Sequence, residues 1–123
     1  MNTYRDLKVW QLNQICIQSC FRLQNELSER YAYQHIWKQL FRAITSIGAN
    51  LAEGQSSYSG KEFARYIKIA INSAIEVDYW LVTLEGLIEN KIEVINQLTT
   101  SNIEVIKMLK GLLKSIETKR QQD

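Results

Sequence analysis

The sequence predicts an all-α protein, an antiparallel up-down-up-down four-helix bundle. Three observations point there. The 123 residues contain no proline and only five glycines, so little in the chain obliges it to break or turn. Apolar residues recur at three- and four-residue steps in long segments. Short polar stretches separate those segments, as in a bundle whose successive helices reverse direction. At 46% apolar and 23% charged residues the composition is that of a globular chain. One domain over residues 1–123 is long enough to bury about two-thirds of its unfolded surface.

The first helix is predicted from about Leu7 to Leu27, where Val9, Leu12, Cys16, Cys20, Leu23 and Leu27 line one face. Cys16 and Cys20 share that face with no metal-ligand or redox spacing around them, so they read as buried thiols. Ser28 to Tyr33 forms the connection. The second helix runs to about Glu53 on a stripe of Ile36, Leu40, Ile44, Ile47 and Leu51. The third carries the clearest seam, with Phe63, Ile67, Ala70, Ala74, Val77, Leu81, Leu84 and Ile88 stepping alternately by four and three. A break is predicted near Thr99 to Asn102. The fourth helix then spans about Asn102 to Thr118, with Val105, Ile106, Leu109, Leu112, Leu113 and Ile116 inward and a frayed tail over about 119–123.

The third helix is apolar beyond the needs of one bundle. Ala64, Ile71, Ile75 and Val82 widen its seam on one flank, and Tyr66, Ile69, Trp80 and Leu87 widen it on the other. The resulting arc of roughly 240° far exceeds the stripe of about 100° that buries a bundle helix. Tyr66, Ile69, Ile71, Ile75, Trp80 and Val82 are therefore expected at an interface between copies of the chain.

Between the second and third helices lies "SIGANLAEGQSSYSGKEFARY", Ser46 to Tyr66. Gly54 sits where a left-handed glycine would end a helix. Ser59 and Glu62 have the spacing of a reciprocal capping box, and Tyr58 with Phe63 that of a hydrophobic staple. The spacing matches neither a P-loop nor a dinucleotide fingerprint, so the stretch reads as a helix stop and a helix start. Asn50 and Glu53 do not fit that scheme. A carboxylate in the last turn of a helix opposes the helix dipole, and both residues are expected to hydrogen-bond the connecting loop or a neighbouring chain.

Here the residues become recognisable. "SIGANLAEG", then "S-x-x-E-F" and "Y-I-K-I-A-x-x-S-x-x-E", resemble the four-helix-bundle proteins encoded in intervening sequences of bacterial 23S ribosomal RNA genes. Ser46, Ile47, Asn50, Ala52, Glu53, Gly54, Ser59, Glu62, Phe63, Ile69, Ala70, Ser73 and Glu76 stand at matching positions, and "YRDLKVWQ" (Tyr4 to Gln11) is similar to the family's opening. The resemblance implies a cytoplasmic bacterial bundle, often a ring-like homopentamer, with no settled biochemical activity. A related group, the accessory proteins of diversity-generating retroelements, helps a reverse transcriptase and contacts RNA. One departure is that Gln55-Ser56-Ser57-Tyr58 lacks the arginine this family usually carries shortly before the serine.

Catalysis is not expected. His35 has no acidic partner in sequence, Glu76 and Asp78 point about 200° apart on a helix, and no Glu-x-x-His pair marks a di-iron bundle. No catalytic residue, metal ligand or cofactor site is predicted. Net charge is +2, distributed as +1 over residues 1–33 (4 basic, 3 acidic), +1 over 34–59 (2 and 1), −2 over 60–90 (3 and 5) and +2 over 91–123 (6 and 4). Lys107, Lys110 and Lys114 fall within about 60° of one another on the fourth helix, and Lys119 and Arg120 extend them toward the C-terminus. These five are the candidate nucleic-acid-binding residues; the alternative is a solvated face opposite the core, with Glu104 and Glu117 at its edges. Tyr4, Arg5, Lys8 and Trp10 form a second mixed patch, with Trp10 read as an anchor against the bundle.

Two functions follow as expectations. One is an oligomeric RNA-associated accessory protein that repeats its basic face around a ring. The other is a protein–protein scaffold or reverse-transcriptase accessory subunit without direct RNA contact. The expected partners are the chain itself and RNA or an RNA-processing protein, with no membrane. "MNTYRDLKVWQL" has no apolar stretch of signal-peptide length and no later run is long enough to span a bilayer, so a cytoplasmic location is expected.

Overall fold

A computed structural model describes residues 3–122. Four helices account for most of it: α1 Lys8–Leu23, α2 Tyr31–Gln55, α3 Gly60–Leu87 and α4 Glu93–Gln122. Each packs on its neighbours in sequence, and α1 closes the ring against α4, giving the four-helix bundle. The α2–α3 contact is the most extensive.

A single 3-10 turn, Tyr4–Asp6, leads into α1. The Thr3 amide donates to Asp6 Oδ2 at 2.9 Å, and the Arg5 amide donates to Thr3 Oγ1 at 3.2 Å. α1 stops at Leu23, and a second 3-10 turn, Gln24–Glu26, delivers Leu27 into the core. The sequence pattern places Leu27 in the first helix because burial, not helicity, sets its phase. α2 opens at Tyr31, inside the expected connection. Gln34 Nε2 reaches back to the Ser28 carbonyl at 3.0 Å and braces this tight join.

The largest correction concerns α4. No break occurs at Thr99 to Asn102; the join is Ile88 to Ile92, and α4 starts at Glu93. "TTSN" is poor in helix formers, which is the signal behind the expected break. Tertiary contacts override it. Ile95, Leu98, Asn102, Val105 and Leu109 form one buried stripe stepping three, four, three and four. The Thr99 hydroxyl is absorbed by donating to the Ile95 carbonyl one turn back, at 2.8 Å. The expected tail is helical through Gln122, and Asp123 lies outside the described residues.

Three polar side chains tie the helices to one another inside this core. Asn13 Nδ2 donates to the Ile44 carbonyl at 3.1 Å, Trp37 Nε1 to the Cys20 carbonyl at 2.8 Å, and Asn102 Nδ2 to the Ala74 carbonyl at 2.9 Å. Asn13 and Asn102 are buried, and each points at a mid-helix carbonyl of its neighbour. Asn13 Oδ1 has no hydrogen-bond partner and faces Gly48, where a Cβ would lie 2.8 Å from it. Gly48 is therefore selected by close approach of α1. Both cysteines are buried as expected. Burial, reinforced by the nearby Cys16, pushes the Cys20 thiol up to about 12; burial also raises Cys16, against a hydrogen bond with Ser101.

Candidate functional site

The α2–α3 corner is built differently from its sequence pattern. α2 runs through Gly54 to Gln55, and no glycine among the described residues has positive φ. Gly54 is not a left-handed stop. A Cβ there would lie 2.7 Å from Tyr66 Cβ and 2.9 Å from Phe63 Cδ1, so glycine lets α3 cross closely over the end of α2. Serine hydroxyls satisfy the free carbonyls instead: Ser57 Oγ donates to Gly54 O at 2.6 Å and Ser56 Oγ to Glu53 O at 3.0 Å.

Ser59 is the N-cap of α3, its hydroxyl accepting from the Glu62 amide at 3.1 Å. The return half of the capping box is missing, because Glu62 Oε1 accepts from Arg65 Nε at 2.7 Å. The staple is missing too. Phe63 packs on the core, while Tyr58 stands 107% exposed, clear of it. Neither Asn50 nor Glu53 bonds the loop through its side chain. Asn50 Nδ2 turns back to Ser46 O at 2.8 Å and Ser46 Oγ at 3.1 Å, and Ser46 Oγ meets Ser73 Oγ across α2 and α3 at 2.9 Å. The Glu53 side chain is exposed.

Along α4, Lys107, Lys110 and Lys114 are exposed and share one face, as their spacing requires. Lys119 and Arg120 leave that face. They line a cleft of about 420 Å3 at the corner, with Ser57, Tyr58, Phe63 and Ile116. Arg120 lies over the start of α3, its Cγ and Cδ each 3.3 Å from where a Cβ on Gly60 would sit. The ion pairs among the described residues are Arg42–Glu76, Arg65–Glu62 and Lys91–Glu93. None of the five α4 cations takes part in one.

The broad apolar surface of α3 divides between two faces. Tyr66, Ile69 and Trp80 are half-buried on the flank toward α2. There Glu76 Oε2 accepts from Arg42 of α2 at 2.5 Å and from the Trp80 indole at 3.0 Å. Ile71 is buried in the chain's own core, on the opposite flank. Beside it Ile75 and Val82 remain 50% and 59% exposed, and Ile103 of α4 adds to the apolar surface. Ile75 and Ile103 each follow directly after the residues joined by the Asn102–Ala74 bond.

The remaining candidates are quickly placed. Trp10 packs half-buried against the core, edge-on to Tyr4 at 5.1 Å. His35 is exposed and stacks on Tyr31 at 5.8 Å. Among the described residues no three His, Cys, Asp or Glu side chains gather as a metal site, and no helix is long and apolar enough to cross a membrane. Sequence reasoning missed Asn13, Asn102 and the Arg42–Glu76–Trp80 cluster. The two asparagines had a usable signal, since each falls in phase with its helix's apolar stripe. The cluster had none, because it depends on how α2 and α3 are rotated.

Fold and surface together define a small antiparallel helical bundle with a tightly crossed, hydroxyl-capped corner and a fourth helix whose cations form no ion pair among the described residues. The profile of the 23S rRNA-intervening sequence protein family matches residues 5–111, and the chain belongs to that family. A solved structure of a protein with unknown function from the S23 ribosomal protein family of Bacteroides thetaiotaomicron VPI-5482 has the same fold. It is 27% identical, with a TM-score of 0.75 over 86% of this chain and 95% of that one. No curated protein matches the chain.

Proposed function

We propose that this protein is a non-catalytic RNA-associated accessory protein that works as a cytoplasmic homo-oligomer, presenting the α4 cations to an RNA backbone. The observation that carries the reading is that Lys107, Lys110, Lys114, Lys119 and Arg120 form no ion pair among the described residues. Glu104 and Glu117 stand three residues from Lys107, Lys114 and Arg120 on the same helix, the spacing of a helical ion pair, yet none of these pairs closes among the described residues. These cations span about 20 Å of helix, at 1.5 Å per residue from Lys107 to Arg120. Repetition around a ring would multiply weak single contacts into avidity.

Salt-titrated fluorescence anisotropy with labelled RNA tests the reading. Five neutralised phosphates predict a slope of log K against log salt of about −3.5 for a single strand or −4.5 for a duplex, per protomer. Reversal of Lys107, Lys110 and Lys114 to Glu should abolish most binding. Binding indifferent to salt, or surviving that reversal, overturns it.

A second reading, a scaffold that binds only proteins, is favoured by exposed Ile75 and Val82. The same surface supports self-assembly in either case. Light scattering should give a mass well above the 14.4 kDa of one chain, reduced by Ile75→Lys with Val82→Lys. A clean monomer for the wild-type chain removes the ring from both readings.

A further inference from the structure

Tyr58 has no task in the fold. It fails to staple the corner, and the residue is 107% exposed, more open than in a reference peptide. An aromatic ring left wet on a four-residue turn forfeits its burial energy without return. Yet Tyr58 lines the same cleft as Lys119 and Arg120, which arrive from the far end of another helix. Among the described residues no carboxylate lines that cleft, and its volume of about 420 Å3 falls within the roughly 300–1,000 Å3 of small-ligand sites.

A flat exposed ring beside two cations that form no ion pair among the described residues has the chemistry of single-stranded nucleic-acid recognition. A base has a π-face to stack, and its flanking phosphates need positive charge. We infer that the corner cleft holds one unstacked base of a single-stranded RNA against Tyr58, with the adjoining phosphates on Lys119 and Arg120. The inference rests on the RNA reading above and deepens it. Lys107, Lys110 and Lys114 lie on a separate face and supply backbone attraction for any RNA, whereas the cleft selects for a free base. Duplex RNA keeps its bases stacked inside and offers Tyr58 nothing. The Ser57 proton is already committed to Gly54 O, whereas Ser59 only accepts, from the Glu62 amide, and keeps its O–H to add to the phosphate contact of Lys119 and Arg120.

Anisotropy with three labelled probes of equal length tests this: an oligouridylate, an abasic ribose–phosphate strand and an RNA duplex. Tyr58→Ala should weaken oligouridylate binding by about 5- to 150-fold, the usual range for one base–aromatic stack. It should leave the abasic strand and the duplex within twofold of wild type. Tyr58→Trp should restore binding, and Lys119→Gln with Arg120→Gln should weaken oligouridylate and abasic strand alike. Thermal unfolding of each variant controls for folding, which an exposed turn residue should not disturb. Equal loss on all three probes, or no loss with oligouridylate, overturns the inference. If the wild type binds duplex and single strand equally and only the α4 lysine reversals matter, the cleft is wrong and the RNA reading stands. If the wild type binds none of the probes, both fall.

Discussion

A methyl group at Gly54 separates two reasons for a glycine at the end of α2. If backbone freedom selects it, the residue should be left-handed; in the structure it is helical. The alternative is close approach. The added Cβ would sit 2.7 Å from Tyr66 Cβ, an atom fixed to the α3 backbone that no side-chain rotation can remove. Relief requires the helices to part by several tenths of an ångström or more. Overpacking of this kind costs about 1–3 kcal/mol, and a contact with so rigid an atom belongs near the top of that range. Alanine returns up to about 1 kcal/mol of helix propensity, leaving a net loss of about 2 kcal/mol. With an unfolding entropy of about 2.1 cal/mol/K per residue, the 123 residues give about 0.26 kcal/mol/K. Gly54→Ala should therefore lower Tm by roughly 8 °C at fixed protein concentration. Gly86 and Gly111 calibrate the propensity gain, because a Cβ at either meets nothing within 4 Å. Gly86→Ala and Gly111→Ala should each stabilise by about 0.5–1 kcal/mol. In a Tyr66→Gly background the Gly54→Ala cost should shrink, with a coupling of about 1 kcal/mol or more. A Gly54→Ala gain equal to that at Gly86, or no coupling to Tyr66, refutes the close-approach account.

Three further measurements probe the interior and its edge. Below pH 9 folded and unfolded Cys20 both keep the proton; above it the unfolded thiol ionises while the folded one holds to about 12, so stability falls as pH rises. Urea titrations should show wild type losing about 1.4 kcal/mol more than Cys20→Ala between pH 8 and pH 10, and parallel losses would contradict the buried thiol. Asn102→Ala should cost about 1–3 kcal/mol for a lost buried bond and a small cavity. Asn13→Leu should be neutral or mildly stabilising, because it removes an acceptor that has no partner; the reverse order of these two variants would be incompatible with the hydrogen bonding described. Arg42→Ala should cost less than about 1 kcal/mol in chemical denaturation, since the Arg42 and Glu76 side chains are 61% and 35% exposed.

What the sequence made legible is what depends on periodicity. The stripes of α2 and α3 can be read because their inward residues are apolar, and that of α1 because Val9, Leu12, Cys16, Cys20 and Leu23 carry its phase past the single buried Asn13. α4 defeats the same reading at one point. Asn102 occupies an inward position with a polar side chain, so the apolar pattern is interrupted just where a buried hydrogen bond anchors the helix. Gly54 shows a second limit. A glycine at a helix end has two physical explanations, and only the positions of Tyr66 and Phe63 decide between them. The candidate site was half legible for a related reason. The Lys107, Lys110 and Lys114 face follows from 100° per residue. The shared lining of one cleft by Arg120 and Tyr58 is tertiary and has no local signature.

That shared lining depends on the register of α3 against α4, which the buried asparagine marks. Ile116 lies 14 residues after Asn102, and Gly60 lies 14 residues before Ala74. At 1.5 Å per residue both are about 21 Å from the Asn102–Ala74 bond, measured toward the same end of the bundle because the helices run antiparallel. Ile116 Cγ2 accordingly comes 3.7 Å from the Cβ position of Gly60, with Arg120 one turn further on. A slip of α4 by a single turn, about 5.4 Å, would carry Arg120 away from Gly60 and open the cleft. It would also leave Asn102 without the Ala74 carbonyl, an unsatisfied buried amide that a leucine in its place would never register. A polar residue in the seam thus contributes little net stability but penalises the wrong alignment. Asn102→Leu should accordingly keep a folded bundle while loosening the alignment at the corner. Backbone hydrogen exchange would then quicken at Ser57–Lys61 and Ile116–Arg120 more than around Leu23 and Leu40; uniform protection in that variant would mean that the apolar stripe alone sets the register.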